Sequence, residues 1–346
     1  MRPDNIHVSG LGTYLPERMS SRRAIELGLY DETLMLDSGV TGTLVAGETP
    51  PVEMAVSAAR DALKRAGTDA GSLDLLIHSH VLRQGPAMWY PGGYILRELG
   101  GGDIPVFEVG QGCNGMLAAL ELAAGQLAAD PARRTALLTT ADNFASPHGN
   151  RWRGYGPGTV IGDAASAMTL TTDDGIARVR SVNQQAVPEL EGLHRGREPL
   201  FDPHGRDEID AIDMLARARD FSREHRPLAA INELIAEKQA EVARRSLEEA
   251  GIGPGDVARA IYVNQGRYLV GQFFLDPLGL PESTSTWDFG RTVGHLGASD
   301  HVVALDHLVT TGQLAAGDHV LLAGSAPGFV VSSAVLTMTA TASWAL

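Results

Sequence analysis

The sequence predicts an α/β fold made of two related halves. Two observations support this. Nearly continuous apolar runs at 73–81 and 135–141 are typical of strands covered on both faces, and a helical pattern at 53–66 precedes the first of them. A helix, glycine-rich turn and apolar strand recur at 231–263, so βαβ-rich units are present twice in one chain.

The first half is organised around residues 106–129. A short strand at 106–109 leads through a glycine-flanked turn into an apolar helix, and the only cysteine, Cys113, lies at this junction. Free N–H groups and the dipole of a first helical turn favour a thiolate, so Cys113 is a candidate nucleophile. A small buried hydrophobic residue is the alternative interpretation, since most free cysteines have that role.

Other elements follow the same logic. A strand at 6–8 is expected to end in a tight turn formed by GLGTYLPE at 10–17, because two glycines and a proline lie there. The GHLG run at 294–297 occupies in the second copy the place that GCNG at 112–115 has in the first. His295 and Cys113 are therefore expected at equivalent helix N-termini, facing each other across a pseudo-twofold axis. We place the two halves at 1–180 and 181–346, with 187–230 as an inserted cap or a solvated surface loop.

Composition narrows the classes of function. The chain has 346 residues, 44% hydrophobic, and a formal net charge of −14, which argues against a nucleic-acid partner. A single cysteine excludes a disulfide framework and a cysteine-rich metal site, and we expect no metal. The start of the chain lacks a signal-peptide pattern, and the apolar stretch at 320–342 is interrupted by Gly324, Pro327 and Gly328. A cytoplasmic protein without a membrane span is expected.

Several motifs together resemble the ketoacyl synthase III family: GLGTYLPE at 10–17, the GCNG context of Cys113, IGDAAS at 161–166, GHLGAS at 294–299 and GSAPGFVVSSAVL at 324–336. The resemblance runs nearly end to end. It implies a thiolase fold with layered α/β/α/β/α architecture and an obligate homodimer. It also implies an acyl-CoA or acyl carrier protein thioester as donor, with no further cofactor.

The departures from the family pattern concern the catalytic positions. The family has a His where this chain has Asn264, and an Asn where this chain has His295. Asp300 follows His295 by five residues, and a carboxylate orienting a His beside a thiol is the arrangement used in acyl transfer. Asp300 could instead serve only as a helix N-cap.

Two further departures affect substrate binding. Pro327 replaces a family glycine whose N–H helps form the oxyanion hole, and proline has no N–H. The N–H of Cys113 must then act with a second donor, from Gly328 or Asn264. Thr33 and Asp37 replace a Trp and an Arg that bind coenzyme A in the family, so the donor either sits differently or arrives on a carrier protein.

These observations predict an O-acyltransferase with Cys113 as nucleophile, His295 as base and Asp300 as its orienting group. By resemblance, the acyl group is malonyl or a near relative, and the acceptor is a hydroxyl of a glycosylated polyketide in an antibiotic pathway. A retained malonyl carboxylate needs a counter-charge, for which the candidates are Arg153, Arg195 and Arg197. The alternatives are a decarboxylative ketoacyl synthase and a non-catalytic thiolase-fold partner.

Overall fold

The computed structural model describes residues 1–145, 150–201 and 212–345. Nine strands form one mixed sheet, and two more form a small ribbon. The strands are β1 (His7–Tyr14), β2 (Glu17–Ser20), β3 (Gly42–Val45), β4 (Leu75–Ser79), β5 (Val106–Val109), β6 (Thr135–Asp142), β7 (Ala164–Thr171), β8 (Ala177–Ala186), β9 (Val257–Ile261), β10 (His319–Ala326) and β11 (Val330–Met338). The helices are α1 (Ser21–Glu26), α2 (Glu32–Ser38), α3 (Pro51–Ala66), α4 (Pro91–Leu99), α5 (Gly115–Ala129), α6 (Met214–Glu224), α7 (Leu228–Ala250), α8 (Arg267–Val270), α9 (Asp276–Leu278), α10 (Trp287–Val293) and α11 (Asp300–Thr310).

The order of the strands shows the repeat. The large sheet runs β5-β4-β6-β7-β1-β8-β11-β10-β9. In the first half β4 is parallel to β5 and β6, and the remaining pairs are antiparallel. In the second half β9 is parallel to β10, and Ser285 bridges Ala260 in parallel where the first half has β5. The predicted α/β fold with two related halves is confirmed.

The halves meet in the middle of the sheet, where β1 and β8 share only two residue pairs. The division at residue 180 stays a prediction, and that residue lies inside β8. Helices α5 and α11 pack into one apolar cluster with strands from both halves, and Leu117, Leu120 and Leu305 are fully buried there. Each such leucine contributes about 1.5–3 kcal/mol of transfer free energy. This burial fixes the N-termini of the two helices, which hold the candidate site.

One local expectation was wrong. The glycines at 10 and 12 do not end a strand, because β1 continues to Tyr14. A Cβ at Gly10 would lie 2.2 Å from the carbonyl oxygen of Ala62, and one at Gly12 would lie 2.0 Å from that of Ala58. The glycines therefore let α3 pack directly against the strand backbone, which is a role that a turn signal in sequence does not distinguish.

The described parts of the 187–230 insert pack mostly against the second half, and the backbone N–H of Met214 also donates to the carbonyl oxygen of Gly154 in the first half. They include a 3₁₀ helix at Pro188–Leu193 and helix α6. Leu190, Leu193 and Phe221 are buried in a cluster with Ile235 of α7 and Phe329. Residues 202–211 of the insert lie outside the described residues. Within the described residues, none of the helices is both long and apolar enough to cross a membrane.

Candidate active site

Cys113 lies in a short 3₁₀ turn, Gly112–Asn114, between β5 and α5. The turn requires glycine at position 112, where φ is +53° and a Cβ would meet the ring of Pro327 at 3.3 Å. Cys113 is half-buried and reaches a cavity, so its thiol is available to a substrate. The strand-to-helix position predicted for this residue matches the structure.

His295 reaches the thiol from the second half. Its Nε2 lies 3.0 Å from Sγ of Cys113, and its Nδ1 lies 2.5 Å from Oδ2 of Asp300. Burial by itself would lower the pKa of His295. The charges of the neighbouring Cys113 and Asp300 side chains nevertheless raise that pKa well above its usual value. The imidazolium is therefore the favoured form of His295.

Asp300 is completely buried and accepts three more hydrogen bonds. The backbone N–H of Leu296 and the side-chain amide of Asn264 donate to Oδ1 at 2.8 and 2.9 Å. The backbone N–H of Asn264 donates to Oδ2 at 2.8 Å. Asp300 is the first residue of α11, and these donors all precede that helix. Its bonds therefore orient His295, and they are not the bonds of an N-cap to the helix backbone.

Asn264 does not have the role of oxyanion donor that was considered for it from the sequence. Its Nδ2 donates both to Asp300 and to the carbonyl oxygen of Gly294, at 3.0 Å. Two bonds use both N–H groups of a primary amide. Asn264 therefore supports the carboxylate and has no free donor for a thioester oxygen. The sequence contains both partners, because an Asn amide can donate to an Asp carboxylate. Only the structure shows that these two residues are in contact.

Gly328 lies at the tip of the turn between β10 and β11, beside Pro327. Its φ of +116° is a conformation that favours glycine. The turn contacts the Cys113 loop through the ring of Pro327 and Gly112. Gly328 thus remains the predicted second oxyanion donor beside the N–H of Cys113.

The three candidate arginines do not join the site. Arg153 is exposed and is not among the residues that line the cavity at Cys113. Arg195 pairs with Glu191 through two bonds of 2.8 and 2.9 Å, and Arg197 pairs with Glu224 at 2.6 Å. These contacts are at the surface of the 187–230 segment. The structure therefore does not place the predicted counter-charge beside the thiol.

The cavity at Cys113 has a volume of about 190 Å³ and a largely apolar lining. Among the described lining residues there is no Arg or Lys. Five aromatic rings take part: Phe144, Tyr155, Tyr262, Phe273 and Phe329. A wall of this kind favours uncharged groups, because an unpaired carboxylate would lose its hydration there.

The cavity also includes a residue that the sequence reasoning missed. His194 lines it together with Leu193 and Met214, all from the 187–230 segment. No sequence motif marks this histidine, which stands in an otherwise charged and irregular stretch. Its proximity to Cys113 depends on how the insert folds back.

Comparison with known proteins agrees with this geometry. The family model for 3-oxoacyl-[acyl-carrier-protein] synthase III matches residues 107–187, and the model for the C-terminal part of the same family matches residues 247–338. The solved structure of ChlB3, described as an acyltransferase, is 43% identical, covers 99% of this chain and 100% of its own, and superposes with a TM-score of 0.92. The chain belongs to the 3-oxoacyl-[acyl-carrier-protein] synthase III family.

The curated relatives include a synthase named for an acyl-carrier-protein product and a synthase named for a coenzyme A product. The β-ketoacyl-[acyl-carrier-protein] synthase III 3 of Streptomyces coelicolor is 27% identical over 95% of this chain and 96% of its own. The acetoacetyl CoA synthase NphT7 of Streptomyces sp. (strain CL190) is 26% identical over 95% of this chain and 97% of its own. A priming β-ketosynthase from the R1128 polyketide pathway shares the fold, with a TM-score of 0.82 at 20% identity, over 98% of each chain. The chain is thus an enzyme of a family whose chemistry is acyl transfer from coenzyme A or carrier-protein thioesters.

Proposed function

We propose that this synthase III family member is an O-acyltransferase. It takes a short acyl group from a coenzyme A or carrier-protein thioester onto Cys113 and passes it to a hydroxyl, without a further cofactor. The observation that supports this most directly is the chain of contacts from Asp300 through His295 to Cys113. An imidazole held by a buried carboxylate is suited to removing a proton from a hydroxyl.

In the first half-reaction the Cys113 thiolate attacks the carbonyl carbon of the thioester. The carbonyl oxygen becomes an oxyanion, for which the N–H groups of Cys113 and Gly328 are the candidate donors. Collapse breaks the bond to the departing thiolate, which takes the proton from Nε2 of His295. Acyl-Cys113 and a neutral His295 remain, and Asp300 holds the proton on Nδ1.

In the second half-reaction Nε2 of His295 removes the proton of the acceptor hydroxyl as its oxygen attacks the acyl-Cys113 carbonyl. The carbon–sulfur bond breaks, the ester leaves, and the thiolate–imidazolium pair is restored. Asp300 stabilises the positive imidazolium at this step. The proton that Nε2 gives to the departing thiol in the first half-reaction is therefore replaced by the proton of the acceptor hydroxyl in the second.

The acyl group supported best by the cavity is uncharged. Malonyl was the expectation from sequence, by resemblance to the enzyme that forms malonyl esters in cervimycin biosynthesis, and it required an arginine counter-charge. The described lining has no such cation, and Arg195 and Arg197 are paired with glutamates. A short apolar acyl group needs no counter-charge. By the same resemblance, we propose that the acceptor is a deoxysugar hydroxyl on a polyketide glycoside. The resemblance also supports a homodimer as the active form.

Decarboxylative condensation is the second candidate, because the curated relatives are named as synthases. That reaction needs neutral donors on the thioester oxygen of the extender. Asn264 does not offer one, since its amide is bonded to Asp300 and Gly294. A non-catalytic role is disfavoured because the thiol, imidazole and carboxylate are assembled within hydrogen-bond distance.

The test begins with intact-protein mass spectrometry after incubation with acetyl-, butyryl- and malonyl-CoA, and with the same groups on a carrier protein. We expect one acyl mass per chain, strongest for butyryl, and none in Cys113→Ala. Butyryl-CoA with a glycoside acceptor, in the presence of carboxyl-labelled malonyl-CoA as a potential extender, then separates the reactions. A butyryl ester with the label left in malonyl-CoA supports transfer, whereas labelled carbon dioxide with a β-keto product would restore the ketosynthase. Absence of any adduct would favour the non-catalytic partner.

A further inference from the structure

We propose that His194 binds the acceptor hydroxyl in the cavity and positions it for attack on acyl-Cys113. This inference rests on the proposed O-acyl transfer. It assigns a role to the 187–230 segment, which interrupts the repeat and belongs to neither copy of the βαβ unit. The role is that of a positioning residue for the acceptor, beside the His295 base.

The imidazole of His194 is held in place without using its ring nitrogens. The ring stacks on Phe329, with centroids 5.7 Å apart and planes 6° from parallel. Nη1 of Arg217 donates to the backbone carbonyl oxygen of His194 at 3.2 Å, and the Val187 N–H donates to the carbonyl oxygen of Phe329 at 2.8 Å. Among the described residues neither ring nitrogen has a hydrogen-bond partner, and Nδ1 is enclosed.

An enclosed polar atom without a partner is costly, and buried polar atoms are nearly always bonded. The side chain lines the same cavity as Cys113 and His295, so a bound substrate is in reach. Burial, with a smaller effect of Arg217, lowers the pKa of His194 to about 4. The imidazole is therefore neutral near pH 7, with one N–H donor and one acceptor nitrogen, which is the pairing that a hydroxyl can satisfy.

The chemistry of the two substrates points to the acceptor as the molecule that His194 binds. Val81 and Phe144 lie against Gly297, close to His295, and offer only apolar surface to an acyl chain. The acyl carbonyl has the candidate oxyanion donors near Cys113. An uncharged apolar acyl group therefore has no further hydrogen bond to give, whereas the incoming hydroxyl does. The amides of the donor's pantetheine arm are the other source of such bonds, and the test separates the two.

Two variants and a matched control test the role. His194→Phe keeps a planar ring to stack on Phe329 and removes both nitrogens, and His194→Gln restores a donor and an acceptor. His225→Phe is the control, because His225 also packs against a phenylalanine, Phe221, with ring centroids 4.3 Å apart, but does not line the cavity at Cys113. Butyryl-CoA is the donor, and methyl rhamnoside, a 6-deoxyhexose glycoside, is the acceptor probe. Acylation and the acceptor-dependent loss of acyl-Cys113 are timed separately by mass spectrometry.

In His194→Phe we expect the second-order constant for the acceptor to fall about tenfold more than the acylation rate, as for one lost hydrogen bond. We expect His194→Gln to recover most of the loss and His225→Phe to match the wild type. Equal losses in both half-reactions, or a loss in acylation alone, would overturn the assignment and point to packing or to the pantetheine arm. If wild-type acyl-enzyme forms and the acceptor probe does not shorten its lifetime, the proposed ester transfer fails, and the role of His194 with it.

Discussion

Replacing Asp300 with asparagine removes one charge and changes almost no volume. The carboxylate accepts four hydrogen bonds, two on each oxygen, from His295, Leu296 and Asn264. An amide offers one oxygen and one NH2 group in the same space. Whichever way it turns, at least one buried backbone N–H faces another donor.

The magnitude follows from these contacts. A buried donor left unpaired costs about 1–3 kcal/mol, so Asp300→Asn is expected to lower the free energy of unfolding by about 2–4 kcal/mol. The effect on chemistry is larger. Without the carboxylate, His295 loses one of the two groups that raise its pKa against the effect of burial, so that pKa falls. The imidazole can then take the tautomer that places its proton toward Cys113. We expect acyl transfer to slow by a factor on the order of 10²–10⁴.

The assay is the rate of acylation by butyryl-CoA across a pH series, measured by intact-protein mass spectrometry. Loss of the imidazolium at lower pH should move the alkaline limb of the profile toward acid. Asp306→Asn is the matched control, since Asp306 lies in the same helix and pairs with Arg65, away from the thiol. Full activity with an unshifted profile in Asp300→Asn would refute the proposed relay.

Four more outcomes follow. Cys113→Ala should abolish acylation while the free energy of unfolding changes by less than about 2 kcal/mol, as checked by urea denaturation. Asn264→Ala should slow acyl transfer by roughly 10–100-fold, because it removes one bond to a charged group, and a loss as large as that of Asp300→Asn would contradict its supporting role. Gly290→Ala should slow acyl transfer by a similar factor, because a Cβ there would lie 2.2 Å from Oδ1 of Asn264. As its control, Gly125→Ala in α5 should instead stabilise the helix by up to about 1 kcal/mol. Burial raises the pKa of Asp142 to about 7, so the folded state binds more protons than the unfolded state between about pH 4 and 7. The free energy of unfolding therefore falls as pH rises through that window. Relative to Asp142→Asn, the wild type should lose up to about 4 kcal/mol, measured by denaturation at about pH 4 and about pH 7.

The fold could be predicted because its signals are local and repeated. The apolar runs that become β4 and β6, and the helix that becomes α5, are buried on nearly all sides, and such elements show little polar alternation. Gly10 and Gly12 misled the prediction, because a glycine that ends a strand and one that admits a helix look the same in sequence. What distinguishes them is the distance to Ala58 and Ala62, which only the packed structure supplies.

In the candidate site, too, local features could be predicted and long-range contacts could not. Cys113, His295 and Asp300 were predictable because the repeat places the first two and a short loop brings back the third. The partners of Asn264 and the cavity position of His194 depend on contacts across 36 and more than 100 residues, respectively. Arg195 and Arg197 pair with nearby glutamates of the same insert, at 2.8 Å and 2.6 Å, and do not line the cavity at Cys113. Their role as substrate ligands stays a prediction. A sequence shows which charged side chains are present, whereas only the structure shows which groups they pair with.

The exchange of Asn and His that the family resemblance implies has a structural consequence beyond the substitution itself. With Asn264 beside α10 and His295 beside α11, the carboxylate of Asp300 lies between them and bonds to both. An amide in this place holds the carboxylate in its orientation, and the carboxylate keeps the imidazole basic. In the proposed O-acyl transfer, this arrangement supplies one oriented base in place of the pair of neutral donors that a decarboxylating site needs. We therefore expect the three side chains to favour removal of a proton from a hydroxyl over loss of carbon dioxide from an extender.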